Sequence, residues 1–127
     1  GRIIDLTATV YFDKKEASGK FVIKFAQNED FYSSITYDPA DNLLTLDRTY
    51  SGFPHYIVHS RTIEVKKNEY NSLKLRILLD RNSVELFVND GEKAMSAALY
   101  TPLDADSITF ESKGNVKLDI EKYDLKF

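Results

Sequence analysis

The chain has 127 residues, 43% of them hydrophobic and 29% charged, and its formal net charge at pH 7 is −3. A chain of this length fits one domain, residues 1–127, and buries roughly two-thirds of its unfolded surface on folding. Acidic and basic residues are interspersed, so no positive field favours nucleic acid, and no apolar run approaches the ~20 residues of a membrane span. Cysteine is absent, which excludes disulfides and thiolate metal sites.

Apolar and polar residues alternate along most of the chain, which predicts β-strands and not helices. In chain order, the clearest alternating segments are residues 4–12, 21–26, 73–80, 84–88 and 116–127. Turn-forming residues separate these segments at short intervals, and this spacing predicts an all-β, antiparallel two-sheet sandwich. The last segment changes phase between Ile120 and Tyr123, so we expect a β-bulge near Glu121 and Lys122.

Residues 80–92, with the sequence DRNSVELFVNDGE, are predicted to form two hairpins that share one strand. A short turn at Arg81 and Asn82 precedes the shared strand. Asn89, Asp90 and Gly91 form the turn that follows it. Gly91 is expected at positive φ, a conformation that other residues enter only at a steric cost.

Four acidic residues of this segment, Asp80, Glu85, Asp90 and Glu92, raise the question of a glycosidase active site. Such a site needs two carboxyl groups roughly 5 to 10 Å apart. Nothing in the spacing singles out two of the four. Acids in hairpin turns commonly accept hydrogen bonds from backbone N–H groups or face water. We therefore predict no catalytic residue in this chain.

His55 and His59 are four residues apart and could share one face of a strand. Two ligands do not make a metal site, and no third ligand can be identified in the sequence. We interpret both histidines as partly buried or surface residues and predict no metal site.

Residues 80–92 resemble a C-terminal segment of glycoside hydrolase family 32, which comprises invertases, sucrose-6-phosphate hydrolases, levanases and inulinases. This chain departs from the usual pattern only at Arg81 and Asn82. An upstream stretch, residues 35–38 (ITYD) and 44–52 (LTLDRTYSG), is similar to a second segment of the same domain, and the two stand in the expected order. The residues that carry the resemblance include Asp47, Arg48, Asp80, Glu85, Asn89, Asp90 and Gly91.

The resemblance implies a jelly-roll, concanavalin-like β-sandwich that packs against a catalytic propeller of the same polypeptide and stabilises it. Five propeller blades of roughly 40 to 50 residues each do not fit in this chain. The implied reaction is hydrolysis of terminal β-fructofuranosyl bonds in sucrose, sucrose 6-phosphate or fructans, with retention and without a metal or organic cofactor. Sucrose-6-phosphate hydrolase is the first choice of parent enzyme, because a chain without cysteine suits a compact cytoplasmic protein. A levanase or inulinase would be extracellular.

The implied docking has a physical consequence for the isolated domain. Specific docking buries on the order of 800 Å² per partner, so we expect an exposed apolar patch on the free domain. Self-association into a homo-oligomer is the expected side effect.

The alternative function is a fructan-binding or other carbohydrate-binding module, since such modules are commonly β-sandwiches. The aromatic residues, eight Tyr and eight Phe, could provide a stacking platform, and Asp47 or the candidate sugar-binding residues Arg48, Tyr50 and Arg61 could hold hydroxyl groups. Most Phe positions fall on the core-facing phase of their strands, and the chain has no Trp. We therefore expect at most a weak fructan contact, and we interpret Asp47 and Arg48 as an ion pair that orders the following turn.

Overall fold

The computed structural model describes residues 3–12, 20–29, 31–48, 60–67, 72–81, 83–98, 107–112 and 116–124. This part of the chain forms ten β-strands. They are β1 (Ile4–Phe12), β2 (Phe21–Gln27), β3 (Ser33–Asp38), β4 (Leu43–Asp47), β5 (Ser60–Glu64), β6 (Ser72–Leu79), β7 (Ser83–Val88), β8 (Lys93–Ala98), β9 (Ser107–Ser112) and β10 (Val116–Asp124). Within these ranges there is no helix of the length and apolar character that crossing a membrane requires.

The strands form two antiparallel sheets of five strands each. Sheet 1 has the order β10-β1-β6-β7-β8, and sheet 2 has the order β5-β4-β3-β2-β9. The inner faces of the two sheets share one hydrophobic core. The predicted antiparallel two-sheet β-sandwich is confirmed.

The alternation read in the sequence determines which side of each central strand is buried. Every second residue of β1, from Ile4 to Phe12, is buried. Its neighbour β6 buries Leu73, Leu75, Ile77 and Leu79 with the same period. Burying one such aliphatic side chain contributes about 1.5 to 3 kcal/mol, so these two adjacent strands supply much of the driving force for folding.

The predicted bulge near Glu121 and Lys122 is wrong. β10 pairs with β1 in one unbroken register from Phe12↔Val116 to Ile4↔Asp124. The phase of the apolar residues changes because Tyr123 lies on the outer face of sheet 1, where it is 60% exposed, and not in the core. Leu125 and Phe127, which suggested the second register, lie outside the described residues.

The structure has a register shift elsewhere, where β2 pairs with β9 between Lys24 and Gln27. Ala26 adopts φ 46° there and is buried directly after the buried Phe25. An extra residue in one strand turns two consecutive side chains to the same side, which strict alternation does not anticipate.

Residues 80–92 fold as the two predicted hairpins, in which β7 pairs with both β6 and β8. At the first turn, Oδ1 of Asp80 accepts a hydrogen bond from the Arg81 N–H at 2.6 Å. The Asp80 N–H donates to the Ser83 carbonyl at 2.9 Å. Asn82 lies outside the described residues.

The second turn has three consecutive residues at positive φ: Asn89 (49°), Asp90 (60°) and Gly91 (91°). The positive φ predicted for Gly91 is confirmed, and its N–H donates to the Val88 carbonyl at 3.2 Å. Asn and Asp enter the left-handed region more readily than other non-glycine residues. The whole tripeptide therefore determines the turn.

A buried tyrosine fixes the hairpin between β3 and β4 to the chain that follows β5. The Tyr37 hydroxyl donates to the Val65 carbonyl at 2.7 Å and lies 3.1 Å from Oδ1 of Asn42. Lys67 Nζ donates to the same Asn42 oxygen and to the Pro39 carbonyl, both at 3.2 Å. Desolvation, and to a smaller extent the charge of Asp38, raises the pKa of Tyr37 to about 12.

Replacing Gly91 by Val is expected to lower the melting temperature by several degrees, because a β-branched residue at this φ is strained by about 1 to 3 kcal/mol. An added Cβ would meet no heavy atom within 4 Å, so the loss would report backbone strain and not a clash. Gly91→Asn should cost less. Thermal unfolding followed by circular dichroism tests this, and equal melting temperatures for the three proteins would contradict it.

Replacing Tyr37 by Phe should lower the melting temperature at pH 7 by roughly 3 to 5 °C, since one hydrogen bond is worth about 1 kcal/mol. A raised folded-state pKa means that the wild-type contribution is complete below the unfolded value of 10 and is lost as the pH rises towards 12. The difference between wild type and Tyr37→Phe should therefore narrow above pH 10. Unfolding curves at pH 7, 9, 10 and 11 measure this, with Tyr11→Phe as the control at an exposed tyrosine. A difference that stays constant across this range would refute the explanation.

Candidate functional site

The outer face of sheet 1 carries a shallow groove that follows β1. Its floor consists of the short side chains Thr7 and Thr9, with Asp5 at one end. Because β10 and β6 flank β1, the backbones of those two strands lie about 10 Å apart, twice the strand spacing, and their longer side chains form the walls of the groove. The groove extends past β6 to Phe87 on β7 and to Asp90 and Gly91 in the turn after it, and its whole volume is about 1010 Å³.

The two walls differ in charge, and the strand register places them opposite each other. Glu121 of β10 and Arg76 of β6 both lie directly beside Thr7. Tyr123 of β10 and Leu78 of β6 both lie beside Asp5 in the same way. The β6 wall consists of Lys74, Arg76 and Leu78, and the β10 wall of Asp119, Glu121 and Tyr123.

A bidentate ion pair joins the β6 wall to the floor. Nε and Nη2 of Arg76 donate to Oδ1 and Oδ2 of Asp5 at 3.1 and 2.9 Å. Hydrogen bonding from Arg76 is the largest influence on the pKa of the Asp5 carboxyl, which lies below its ordinary value although desolvation opposes the shift. This fork geometry fixes the guanidinium plane and leaves the Nη1 donors directed away from the pair. The Arg76 side chain is 52% exposed, so those donors are accessible.

The remaining charged side chains of the groove are less constrained. Lys74 Nζ contacts Oδ1 of Asp90 at 2.6 Å in an exposed ion pair. On the β10 wall, the side chains of Asp119, Glu121 and Tyr123 are exposed and form no hydrogen bond or ion pair with other described residues. Acceptors and an aromatic ring on one wall therefore face donors on the other.

The sequence analysis did not select these residues. The alternation in residues 4–12 and 73–80 does place Asp5, Thr7 and Thr9 on the polar face of one strand, and Lys74 and Arg76 on the polar face of another. What it lacked was the strand order, which places those two strands next to each other and β10 beside them. Predicting the groove requires both the face on which each residue lies and the order of the strands.

The residues that were predicted to hold sugar lie elsewhere. Arg48 Nη1 donates to the Ala98 carbonyl at 2.7 Å and so links the end of β4 in sheet 2 to the end of β8 in sheet 1. Arg61 is exposed on the edge strand β5, opposite Leu46. Asp47 ends β4 opposite Ser34 and Ser60. Tyr50 lies outside the described residues, as do His55 and His59.

The acids of residues 80–92 are spread over the second hairpin and its turns. Asp80 and Asp90 lie at opposite ends of β7, whose six residues span about 20 Å, beyond the separation of a glycosidase pair. Glu85 is exposed on the outer face of β7, opposite Leu78. In the part of the chain that the structure describes, no three His, Cys, Asp or Glu side chains are placed to hold a metal ion.

The expected apolar docking patch is not found among the described residues. Their exposed large hydrophobic side chains are Tyr11, Leu43, Ile120 and Tyr123. Leu43 belongs to sheet 2, and Ile120 and Tyr123 point to opposite sides of β10. Such scattered exposure is normal for a protein surface and makes no continuous patch.

Comparison with known proteins identifies relatives of this chain. The model of the family described as glycosyl hydrolases family 32 C terminal matches residues 1–126. A sucrose-6-phosphate hydrolase from Staphylococcus xylosus is 40% identical over 93 residues, which is 72% of this chain and 19% of that protein. A probable sucrose-6-phosphate hydrolase from Vibrio cholerae is 36% identical over 87 residues, 68% of this chain and 15% of that protein.

The solved structures agree on the fold. The crystal structure of exo-inulinase from Aspergillus awamori superposes with a TM-score of 0.80 at 24% identity and covers 96% of this chain and 24% of that one. The chain thus spans less than a quarter of the length of each of these relatives. With a family model that matches nearly every residue and a fold shared with a larger enzyme, the chain belongs to the C-terminal domain family of the family 32 glycoside hydrolases.

Proposed function

We propose that this chain is the accessory β-sandwich of a β-fructofuranosidase, and that it packs against the catalytic propeller of the same polypeptide and stabilises it. The observation that carries the proposal is the family match over residues 1–126, combined with relatives that are several times longer. In those relatives a segment like this one accompanies a much larger remainder of the protein. A sandwich with its own closed core suits this role, because it can offer an outer surface to a partner without exposing its interior.

The parent reaction that we propose is hydrolysis of a terminal β-fructofuranosyl bond with retention. Retaining glycosidases use a carboxylate nucleophile and a carboxylic acid that acts as acid and base, about 5 Å apart. We assign both groups to the propeller. The positions of the acids in residues 80–92 support this assignment, because Asp80 accepts a backbone hydrogen bond in a turn and Asp90 is paired with Lys74. No metal or organic cofactor is part of the proposal.

Sucrose 6-phosphate is the proposed substrate of the parent enzyme, since the sucrose-6-phosphate hydrolases of Staphylococcus xylosus and Vibrio cholerae are 40% and 36% identical to this chain. A phosphorylated sugar is a substrate found inside the cell, so we place the parent in the cytoplasm. The relatives also include a Bacillus levanase at 29% identity. A parent of that type would act outside the cell on fructan.

Docking in this proposal relies on polar complementarity, because the described residues show no continuous apolar patch. Interfaces between domains of one chain are commonly of this more polar kind. Association of two copies into a homo-oligomer would use the sheet edges, where β5, β8, β9 and β10 each present one row of backbone groups unpaired within their sheet.

We expect the chain alone to release no fructose from sucrose, sucrose 6-phosphate, inulin or levan, because the proposed nucleophile and acid are in the propeller. The purified chain is incubated with each substrate and free fructose is measured. The Staphylococcus xylosus sucrose-6-phosphate hydrolase, assayed in parallel on sucrose 6-phosphate, provides the positive control. Turnover that survives repurification and disappears in Asp80→Asn or Glu85→Gln would overturn the accessory role.

A further inference from the structure

We propose that the outer face of sheet 2 is the surface on which this sandwich docks against the catalytic domain of its parent enzyme. The assignment rests on the proposed function, which supplies that domain as the partner. It adds the position of the contact and the chemistry of the surface that meets it: flat, uncharged and able to form hydrogen bonds.

A row of short, uncharged side chains crosses the middle of this face. Val22 of β2 lies directly beside Thr36 of β3. Thr45 of β4 follows, and Thr62 of the edge strand β5 completes the row. The hydroxyl groups of Thr45 and Thr62 are 2.9 Å apart and share one hydrogen bond. All four side chains are β-branched and of similar length, so the middle of the face is flat.

The charged side chains of this face surround the row. They lie in the two flanking rows or on the edge strand β9, and they are Lys24, Asp38, Asp47, Glu64 and Glu111. Lys24 and Glu111 form an ion pair of 3.3 Å. Interfaces between proteins have a centre depleted of charged residues and a polar rim, and the outer face of sheet 2 has the same arrangement.

The outer face of sheet 1 has the opposite arrangement. Thr7 of β1 lies between Glu121 and Arg76. The next outward residue of β1, Thr9, is flanked by one acidic and one basic residue in the same way. A partner that covered β1 would remove these charges from water, which is costly unless each of them is paired. Sheet 1 is therefore the face that remains in solvent.

The outer face of sheet 2 is large enough for a contact between domains. Five strands about 4.8 Å apart and five residues of about 3.4 Å each give it roughly 400 Å². Interfaces between domains of one chain bury about 600 Å² or more, counted over both partners. In the Staphylococcus xylosus and Vibrio cholerae relatives, the matching segment is 19% and 15% of the protein, so a far larger body is joined to it. Covalent attachment gives that body a high effective concentration, so an interface without an apolar patch suffices.

The hydroxyl groups of the row determine what the partner surface offers. A buried hydroxyl has to be hydrogen-bonded, and a threonine hydroxyl both donates and accepts. Thr45 and Thr62 use one hydroxyl hydrogen between them, so the other is left for the partner. The centre of the partner surface therefore presents backbone carbonyl and amide groups or short uncharged polar side chains.

Thiol labelling measures which face is covered. The chain has no cysteine, so Thr45→Cys introduces a single reporter in the row, and Thr7→Cys is the matched control. Both threonines are half-buried and lie on the strand next to an edge strand. Each variant is made in the isolated chain and in the full-length parent enzyme, and alkylation of the reporter peptide by iodoacetamide is followed by mass spectrometry.

We expect the two reporters to react at similar rates in the isolated chain. In the parent enzyme, Thr45→Cys should react about tenfold more slowly or less, because only an undocked state populated at about 10% or below exposes it. Thr7→Cys should react at the same rate in both proteins.

A charge placed in the row tests the same contact without a thiol. Thr36→Glu should lower the melting temperature of the sandwich more in the parent enzyme than in the isolated chain, because docking would bury a carboxylate. Thr9→Glu, on the outer face of sheet 1, should cause the same loss in both proteins. Comparing the two proteins removes the cost that each substitution has within the sandwich itself.

Three outcomes would overturn the choice of face. They are equal labelling of Thr45→Cys in the isolated chain and the parent enzyme; slower labelling of Thr7→Cys in the parent enzyme, which would place the contact on sheet 1; and labelling of Thr45→Cys in the isolated chain that accelerates on dilution, which would make a second copy of the chain the occupant. The accessory role is measured separately. It fails if the sandwich melts at the same temperature alone and in the parent enzyme, whereas a sandwich that is stabilised there while Thr45→Cys still reacts fast contradicts only the choice of face.

Discussion

The two faces of β1 make opposite demands on its sequence, and most of the structure depends on both being met. Ile4, Leu6, Ala8 and Val10 face the core, while Asp5, Thr7 and Thr9 face solvent. A slip of one residue in its register would move the polar set into the core and the apolar set into water. The contrast between the apolar and the polar face of β1 therefore determines its register with β6 and with β10. These two registers position the groove residues of the three strands.

Periodicity in the sequence was sufficient to predict the fold class and the strands with one buried face, such as β1, β6 and β7. Of the strands that the analysis did not single out, β3 and β4 lie inside sheet 2 and are only 6 and 5 residues long, whereas β5, β8 and β9 are edge strands. β5 and β8 are largely exposed, so no core imposes alternation on their sequences. β9 does alternate, with Ile108 and Phe110 packed against the core, but over only 6 residues. The phase change in β10 led to the false prediction of a bulge. The phase can change without a bulge because an edge strand can expose an apolar residue such as Tyr123 at little cost.

The candidate site could not be predicted, although its residue types were visible. The groove depends on β10 lying beside β1, a pairing between the two ends of the chain that no local pattern encodes. The opposite holds for residues 80–92, where the turn signals are local and the hairpins could be predicted. Three residues of that segment, Asn89, Asp90 and Gly91, have the backbone angles that the turn requires. The residue types in this segment are explained by the backbone conformation of its turns and not by a catalytic role.

The two long edges of the sandwich are held together differently. On one edge, Arg48 donates to the Ala98 carbonyl and Lys93 donates to the Glu64 carbonyl, so side chains of each sheet bond to the backbone of the other. Among the described residues no such bond joins β9 to β10, and Ile120 on the inner side of β10 is 42% exposed. Local opening should therefore begin at β10, whose backbone amides would exchange with solvent faster than those of β6 and β7. Any contact that joined β10 to a neighbouring element would slow this fraying.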